Sequence, residues 1–317
     1  MHDPDNAGWG SRVVITISQD GCMLQENEIT AKLDTVDIDE EWAKKKGIKP
    51  GFALDISVGA RTDLGLVRDN NEDKFEVFEP EEPEMLAIKG ALYAVADGMG
   101  GHASGQIASE LALKTIVKSY YGDTNDDVSE SLKTAFQRAN TYIYDTSQLI
   151  IERNGMGTTC TAFVLRNDTM FMAHVGDSRL YRIRNGQITQ VSEDHSWVAE
   201  QVKRGSLTKE EAEMSPFRNV ITRSLGSVPD VEVDTLSEPI RKDDILILCS
   251  DGLSGYTRDD EILDIASSRS PSVAALKLVD RACSNGGGDN VTVVIAALRD
   301  IRKADVQGAF QKLFGRG

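Results

Sequence analysis

Apolar residues in this chain fall into short runs that stop at glycine, asparagine or an acid, and two longer stretches repeat every three to four residues. The short runs predict strands at 52–58, 64–67, 74–78, 92–96, 158–165, 169–175, 180–184, 187–191, 245–249 and 291–298. Between two of them, Asn185-Gly186 is the signature of a two-residue hairpin turn. The first long stretch predicts a helix over 104–120, capped by Ser104, with Ile107, Leu111 and the Thr115–Ile116 edge on one face. The second predicts a helix over about 128–151 that buries Leu132, Phe136, Ala139 and Ile143. Shorter helices are expected at 259–267 and 272–284. Hairpins dominate and helices come in adjacent pairs, so the layout is α+β with a largely antiparallel sheet rather than alternating βαβ.

Residues 1–50 read as an N-terminal extension of unknown role. It carries a strand at 12–18, a turn at Gln19-Asp20-Gly21 and one or two helical turns over 39–47. Residues 51–300 form the main domain. Within it, 79–84 is a charged loop that cannot continue a strand. Residues 196–225 break the β pattern with short helices at 197–203 and 209–213 and a bend at Ser215-Pro216, as a flap would. Residues 301–317 read as a short basic tail, with Phe310, Leu313 and Phe314 at helical spacing.

Five probable strands begin or end at an acid beside glycine or asparagine: at Glu72 and Asp73, Asp97, Asp177, Asp251 and Asp289. One such Asp-Gly is only a turn. Five, on strand ends that converge along one sheet edge, can gather at a single place. Clustered carboxylates repel one another unless cations neutralise them, and oxygen ligands without His or Cys select hard divalent ions. The expectation is a two-metal site bridged by Asp97, holding Mg²⁺ or Mn²⁺ and a water whose pKa is lowered toward neutrality. Such a site suits phosphate-ester hydrolysis, with Arg68 as a bidentate phosphate clamp.

Composition narrows the setting. The chain has 317 residues, 40% of them hydrophobic, and a formal net charge of −16, which argues against nucleic acid or an anionic membrane as partner. No apolar run reaches the length of a membrane span, and the first residues lack the features of a signal peptide. Cys22, Cys160, Cys249 and Cys283 show no metal-ligand spacing, and a reducing cytoplasm fits.

The motifs Arg68-x-x-x-Glu72-Asp73, Asp97-Gly98-Met99-Gly100-Gly101, Val175-Gly176-Asp177-Ser178-Arg179, Ser250-Asp251-Gly252-Leu253 and Gly288-Asp289-Asn290-Val291-Thr292 together resemble those of the type 2C metal-dependent Ser/Thr protein phosphatases. They stand in the family's order across roughly 52–298. The resemblance implies a four-layer sandwich, two mainly antiparallel sheets flanked by helix pairs, with the flap as an insertion and 51–300 as the catalytic domain. It further implies that Asp97 bridges both ions, that Asp251 and Asp289 complete the first, and that the Gly98 carbonyl with Glu72 or Asp73 completes the second. Asp177 with Asp251 would hold a weaker third ion, and Asn290 would orient the Asp289 loop. The implied partners are proteins phosphorylated on Ser or Thr by a cognate kinase, their phosphate esters hydrolysed by a metal-bridging water or hydroxide without a covalent intermediate. Met99 stands where animal-type members carry a proton-donating His, which resembles the bacterial branch and leaves the donor unassigned.

Other readings meet obstacles. Gly98-x-Gly100-x-x-Ala103 fits a loose dinucleotide fingerprint, yet no second strand with an acid follows it. A covalent aspartyl-phosphate hydrolase needs an acid pair that Ala96-Asp97 does not supply. The run Asp123-x-Asn125-x-Asp127 lacks the glycine and glutamate of a calcium loop. A catalytically inactive phosphatase-like scaffold is the alternative from another class; carboxylates at all the ligand positions argue against it.

Overall fold

The structure is a computed structural model that describes residues 51–100 and 103–303. The expectations for 1–50 and for 304–317 lie outside the described residues. From β1 (Phe52–Asp63) and β2 (Lys74–Phe78) the chain passes through α1 (Pro83–Lys89), β3 (Ala91–Ala96) and the short β4 (Gly98–Met99). Two long helices follow, α2 (Ala103–Gly122) and α3 (Val128–Leu149). A run of strands comes next: β5 (Gly157–Thr158), β6 (Cys160–Arg166), β7 (Thr169–Val175), β8 (Arg179–Arg184) and β9 (Gln187–Gln190). The flap carries α4 (Trp197–Lys203) and α5 (Lys209–Glu213). The chain closes with β10 (Asp234–Pro239), β11 (Ile245–Cys249), α6 (Asp251–Ser254), α7 (Asp259–Ser267), α8 (Pro271–Ser284) and β12 (Val291–Lys303).

Ten of the twelve described strands form two five-stranded antiparallel sheets, in the orders β1-β12-β11-β8-β9 and β10-β7-β6-β3-β2, and β4 pairs with β5 in a separate two-stranded ladder. Helices cover both outer faces. Along β3, Leu92, Ala94 and Ala96 face α2 and α3, while Ala91, Tyr93 and Val95 face the other sheet. Along β12, Val291, Val293 and Ile295 face α7 and α8, while Val294, Ala296 and Leu298 face inward. Burial on both faces explains why these strands read as continuous apolar runs rather than alternating ones. The four-layer α+β sandwich is what the sequence leads one to expect.

Helix α3 starts where Asp127 caps it, accepting from the Glu130 amide, and buries Leu132, Phe136, Ala139 and Ile143 completely. In α2 the buried stripe is Ala108, Ala112, Ile116 and Tyr120, one step around from the expected face; Ile107 and Leu111 are only partly covered. Small residues on that stripe let the helix lie close on the sheet.

Residues 64–67 are not a strand. Gly65 takes a left-handed φ of +77°, its amide donates to Asp63 Oδ1, and the Leu66 amide donates to the Gly287 carbonyl. A Cβ on Gly65 would lie 2.2 Å from the Asp289 carbonyl oxygen, so the turn is built for a bare backbone. The sequence reading also passed over α1, where Pro83 sits in the first turn and Gly90 closes the end. It passed over β10 too, an edge strand whose pairing with β7 comes from backbone geometry and not from apolar alternation.

Candidate metal centre

Register brings the five acidic strand ends to one end of the sandwich. Lys74 pairs with Ala96, Cys160 with Val175, Cys249 with both Val293 and Arg179, and Asp63 with Val291. Each acid therefore lies one or two residues beyond the strand ends at the same end of the two sheets.

Polar ties then fix the loops to one another. The Asp97 peptide is gripped from both sides: its amide donates to Thr159 Oγ1 at 3.0 Å, and its carbonyl accepts from the Thr159 amide at 2.9 Å and from Thr158 Oγ1 at 2.8 Å. Ser250 Oγ donates to Asp73 Oδ2 at 2.6 Å and accepts from the Thr292 amide at 3.0 Å, joining the ends of β2, β11 and β12. Asn290 links three more segments. Its Oδ1 accepts from the Glu72 amide at 2.9 Å, and its Nδ2 donates to the carbonyls of Leu64 at 2.9 Å and Asn70 at 3.0 Å. Bare glycines permit the closest approaches. A Cβ on Gly105 would fall 2.0 Å from Glu72 Oε2, and one on Gly252 would fall 1.9 Å from the Asn290 carbonyl oxygen. Glu72 therefore lies against the first turn of α2.

Burial raises the pKa of these acids first, and their mutual repulsion raises it further. Asp73 is pushed up to about 7 and Asp251 to about 6. Asp177 is pushed up to about 8 by burial, then by Asp251 and Asp194. Asp97 is driven well above the usual carboxylate range by burial and then by Asp73, Asp251, Asp177 and Asp289. One guanidinium answers this charge directly: Arg68 donates to Asp289 Oδ2 at 2.7 Å and, with its side chain 54% exposed, keeps most of its donors toward solvent.

Whether the cluster suits a cation can be judged from its own atoms. Asp73 Oδ1, Asp177 Oδ1 and Asp251 Oδ1 are buried with no hydrogen-bond partner. A buried carboxylate oxygen left unpaired is costly, and one from each of three converging loops is the deficit that a cation removes. The donors are oxygens, which fits a hard divalent ion. Among the described residues no three His, Cys, Asp or Glu side chains already close on one point as a metal cage. The arrangement is an acidic cradle.

The sequence alone assigned no role to Thr158, Thr159, Ser250 or Gly105. Hydroxyls and glycines at strand ends are common, and only the register shows that these ones touch the acids. Met99 lies in β4, paired with Gly157. The flap is anchored at its base by bridges from Ser196 to Ile221 and from Thr158 to Leu225, and Trp197 packs on Phe217 at 5.2 Å between ring centroids.

A family model described as protein phosphatase 2C matches residues 70–284. The serine/threonine phosphatase stp of Listeria welshimeri is 38% identical over 240 residues, which cover 74% of this chain and 93% of that protein. The crystal structure of the Mycobacterium tuberculosis serine/threonine phosphatase PstP/Ppp is similar with a TM-score of 0.69 at 37% identity, covering 77% of this chain and 99% of that one. The catalytic domain of the serine threonine protein phosphatase PstP, solved in complex with 2 manganese ions, is similar with a TM-score of 0.67 at 36% identity, covering 77% and 99%.

Proposed function

We infer how the cradle works from the premise that this chain belongs to the protein phosphatase 2C family and is a metal-dependent protein serine/threonine phosphatase. Its substrates are phosphoproteins. The reading of the site rests on one observation above all: five loops bring their acids to one end of the sandwich and leave three buried carboxylate oxygens without partners.

We propose that Asp97 would serve both of two divalent ions, Mn²⁺ or Mg²⁺, that Asp251 and Asp289 would hold one, and that the Gly98 carbonyl with Glu72 or Asp73 would hold the other. Asp177 with Asp251 offers a weaker third place. Ions held there lower the pKa of a coordinated water and draw charge from the phosphate. The chain's own groups do the rest. Asn290 holds the Glu72 and Asp289 loops in register, and Ser250 orients Asp73. Arg68 grips the non-bridging phosphate oxygens, exchanging part of its hold on Asp289 for the more highly charged ligand. The phosphoryl group passes to water in line: the water oxygen bonds to phosphorus as the bond to the Ser or Thr oxygen breaks, the proton that the water sheds goes to that departing oxygen, and no phospho-enzyme forms.

The chain organisation follows the same reading, with 51–300 as the catalytic domain, 196–225 as a flap over the cleft, and 1–50 and 301–317 as appendages. A cognate Ser/Thr kinase would supply the substrates. Among the described residues no helix is long and apolar enough to cross a membrane. Cys160, Cys249 and Cys283 are free thiols, which fits a reducing, cytoplasmic setting.

Hydrolysis of a phosphothreonine peptide with Mn²⁺, Mg²⁺ or EDTA tests this. Wild type is expected to turn over only with metal, and Asp97→Ala and Asp251→Ala to lose roughly 1000-fold or more. A folded protein with no turnover under any metal would overturn the assignment in favour of an inactive scaffold.

A further inference from the structure

We propose that Thr159 is a positioning residue of the metal centre, and that its hydroxyl sets the affinity of the cradle for divalent cations by joining the Asp97 and Asp177 turns. The inference rests on the metal centre assigned above.

Three observations carry it. First, Thr159 Oγ1 accepts from the Asp97 amide at 3.0 Å and lies 2.8 Å from Ser178 Oγ, the residue after Asp177. One oxygen thus links the end of β3 to the β7–β8 turn, two segments that share no strand pairing of their own. Second, the junction is shaped around this side chain. Gly176, at φ +115°, passes so close that a Cβ there would lie 2.5 Å from Thr159 Cβ. Third, both hydroxyls are fully buried, so water cannot replace either partner.

The Asp97 peptide is held by Thr158 and Thr159 together, and the same Thr158 is bridged to Leu225 at the flap exit through its amide, 3.0 Å, and its carbonyl, 2.8 Å. The Thr159 hydroxyl is the direct side-chain tie between the two turns, beside the bonds that hold the Asp97 carbonyl to Thr158 Oγ1 and the Thr159 amide and the Ser178 carbonyl to Thr161 Oγ1. Carboxylates that repel one another drift apart when a constraint is lost, so the hydroxyl acts on cation binding more than on the fold. Groups that orient a metal's ligands typically change its affinity by roughly 10- to 100-fold.

The test is calorimetric titration of the intact chain with Mn²⁺, together with melting in EDTA. Thr159→Val, which keeps the shape and removes the hydroxyl, is expected to weaken Mn²⁺ binding by roughly 10-fold or more. Thr159→Ser, which restores the oxygen, is expected to recover it to within about two-fold. Ser178→Ala, which removes the other partner, is expected to weaken binding in the same direction. Melting in EDTA reports the fold separately, so an affinity loss at an unchanged melting temperature supports the positioning role. Thr159→Val and Ser178→Ala both binding Mn²⁺ as tightly as wild type would overturn this inference alone. Wild type that takes up no Mn²⁺ would overturn the metal centre and the inference with it.

Discussion

Two clusters of ionisable groups share this end of the sandwich and behave in opposite ways. In the cradle, Asp73, Asp97, Asp177 and Asp251 all have raised pKa values, and three of them hold an orphaned oxygen. At the flap root, Arg223 reaches Asp234 at 2.8 Å, His195 Nε2 lies 3.2 Å from the same carboxylate, and His195 Nδ1 accepts from the Gly176 amide at 3.0 Å. Burial works to raise Asp234, yet His195 and Arg223 outweigh it and its pKa ends below the ordinary value. These residues line a cavity of about 330 Å³ with Glu193, Lys203 and Arg204, whose charges are paired within the chain or along one helix. One cluster is self-neutral and the other is not. The difference separates a network that neutralises itself from a cluster whose charge stays unanswered, even though both are rich in acids.

Neutralising single members should break this symmetry most sharply. Asp97→Asn is expected to abolish turnover, roughly 1000-fold or more, while raising the melting temperature in EDTA, because it removes a carboxyl whose ionised form is opposed by burial and by Asp73, Asp251, Asp177 and Asp289. The melting shift should be about 2–4 °C for each kcal/mol of relieved repulsion. A fall in that melting temperature would show that the Asp97 carboxylate is structurally paired and that the contrast fails. Arg68→Ala should lower kcat/KM by about 100-fold with little change in melting, and Arg68→Lys should restore only part of it, since a point charge lacks the bidentate fork. Full rescue by Lys would remove Arg68 from the role of clamp.

The pH dependence tests the cradle as a whole. Folded-state pKa values of about 6 to 8 for Asp251, Asp73 and Asp177 lie above the ordinary carboxylate value of 3.8. The native state therefore binds more protons than the unfolded chain across this window. The sign follows: their contribution is fully present below about pH 4 and is lost as pH rises through about 8. Melting in EDTA should accordingly fall from pH 5 to pH 8, and saturating Mn²⁺ should offset the fall. A metal-free melting curve that rises over that range would refute the shifts. The smallest effect belongs to the paired cluster. Asp234→Asn should lower the melting temperature by about 1–3 °C at pH 7, an exposed pair being weak, and should do so equally with and without metal.

Much of this was legible along the chain. The strands and helices that face the core declared themselves because burial demands apolar side chains at fixed spacing, as in Leu132, Phe136, Ala139 and Ile143 of α3. The acids at strand ends were legible for the converse reason: nothing in a core tolerates Asp97 or Asp251 without a purpose, and five such breaks in order carry the family signature. What stayed hidden depends on contacts between distant residues. The apolar run at 64–67 mimics a strand, and only the close approach of the Asp289 loop shows why Gly65 must turn there. The run Asp123-x-Asn125-x-Asp127, which mimics a calcium loop, instead receives the buried Lys89 ammonium on the Asn125 carbonyl at 2.7 Å, while Asp127 caps α3. The hydroxyls of Thr159 and Ser250 look ordinary until register sets them against Asp97 and Asp73. Sequence by itself determined which residues can be buried and which carry charge, because those are properties of single side chains and their spacing. The tertiary structure alone decided which charges meet, which find partners and which are left for a metal, because pairing is a property of geometry between segments far apart in the chain.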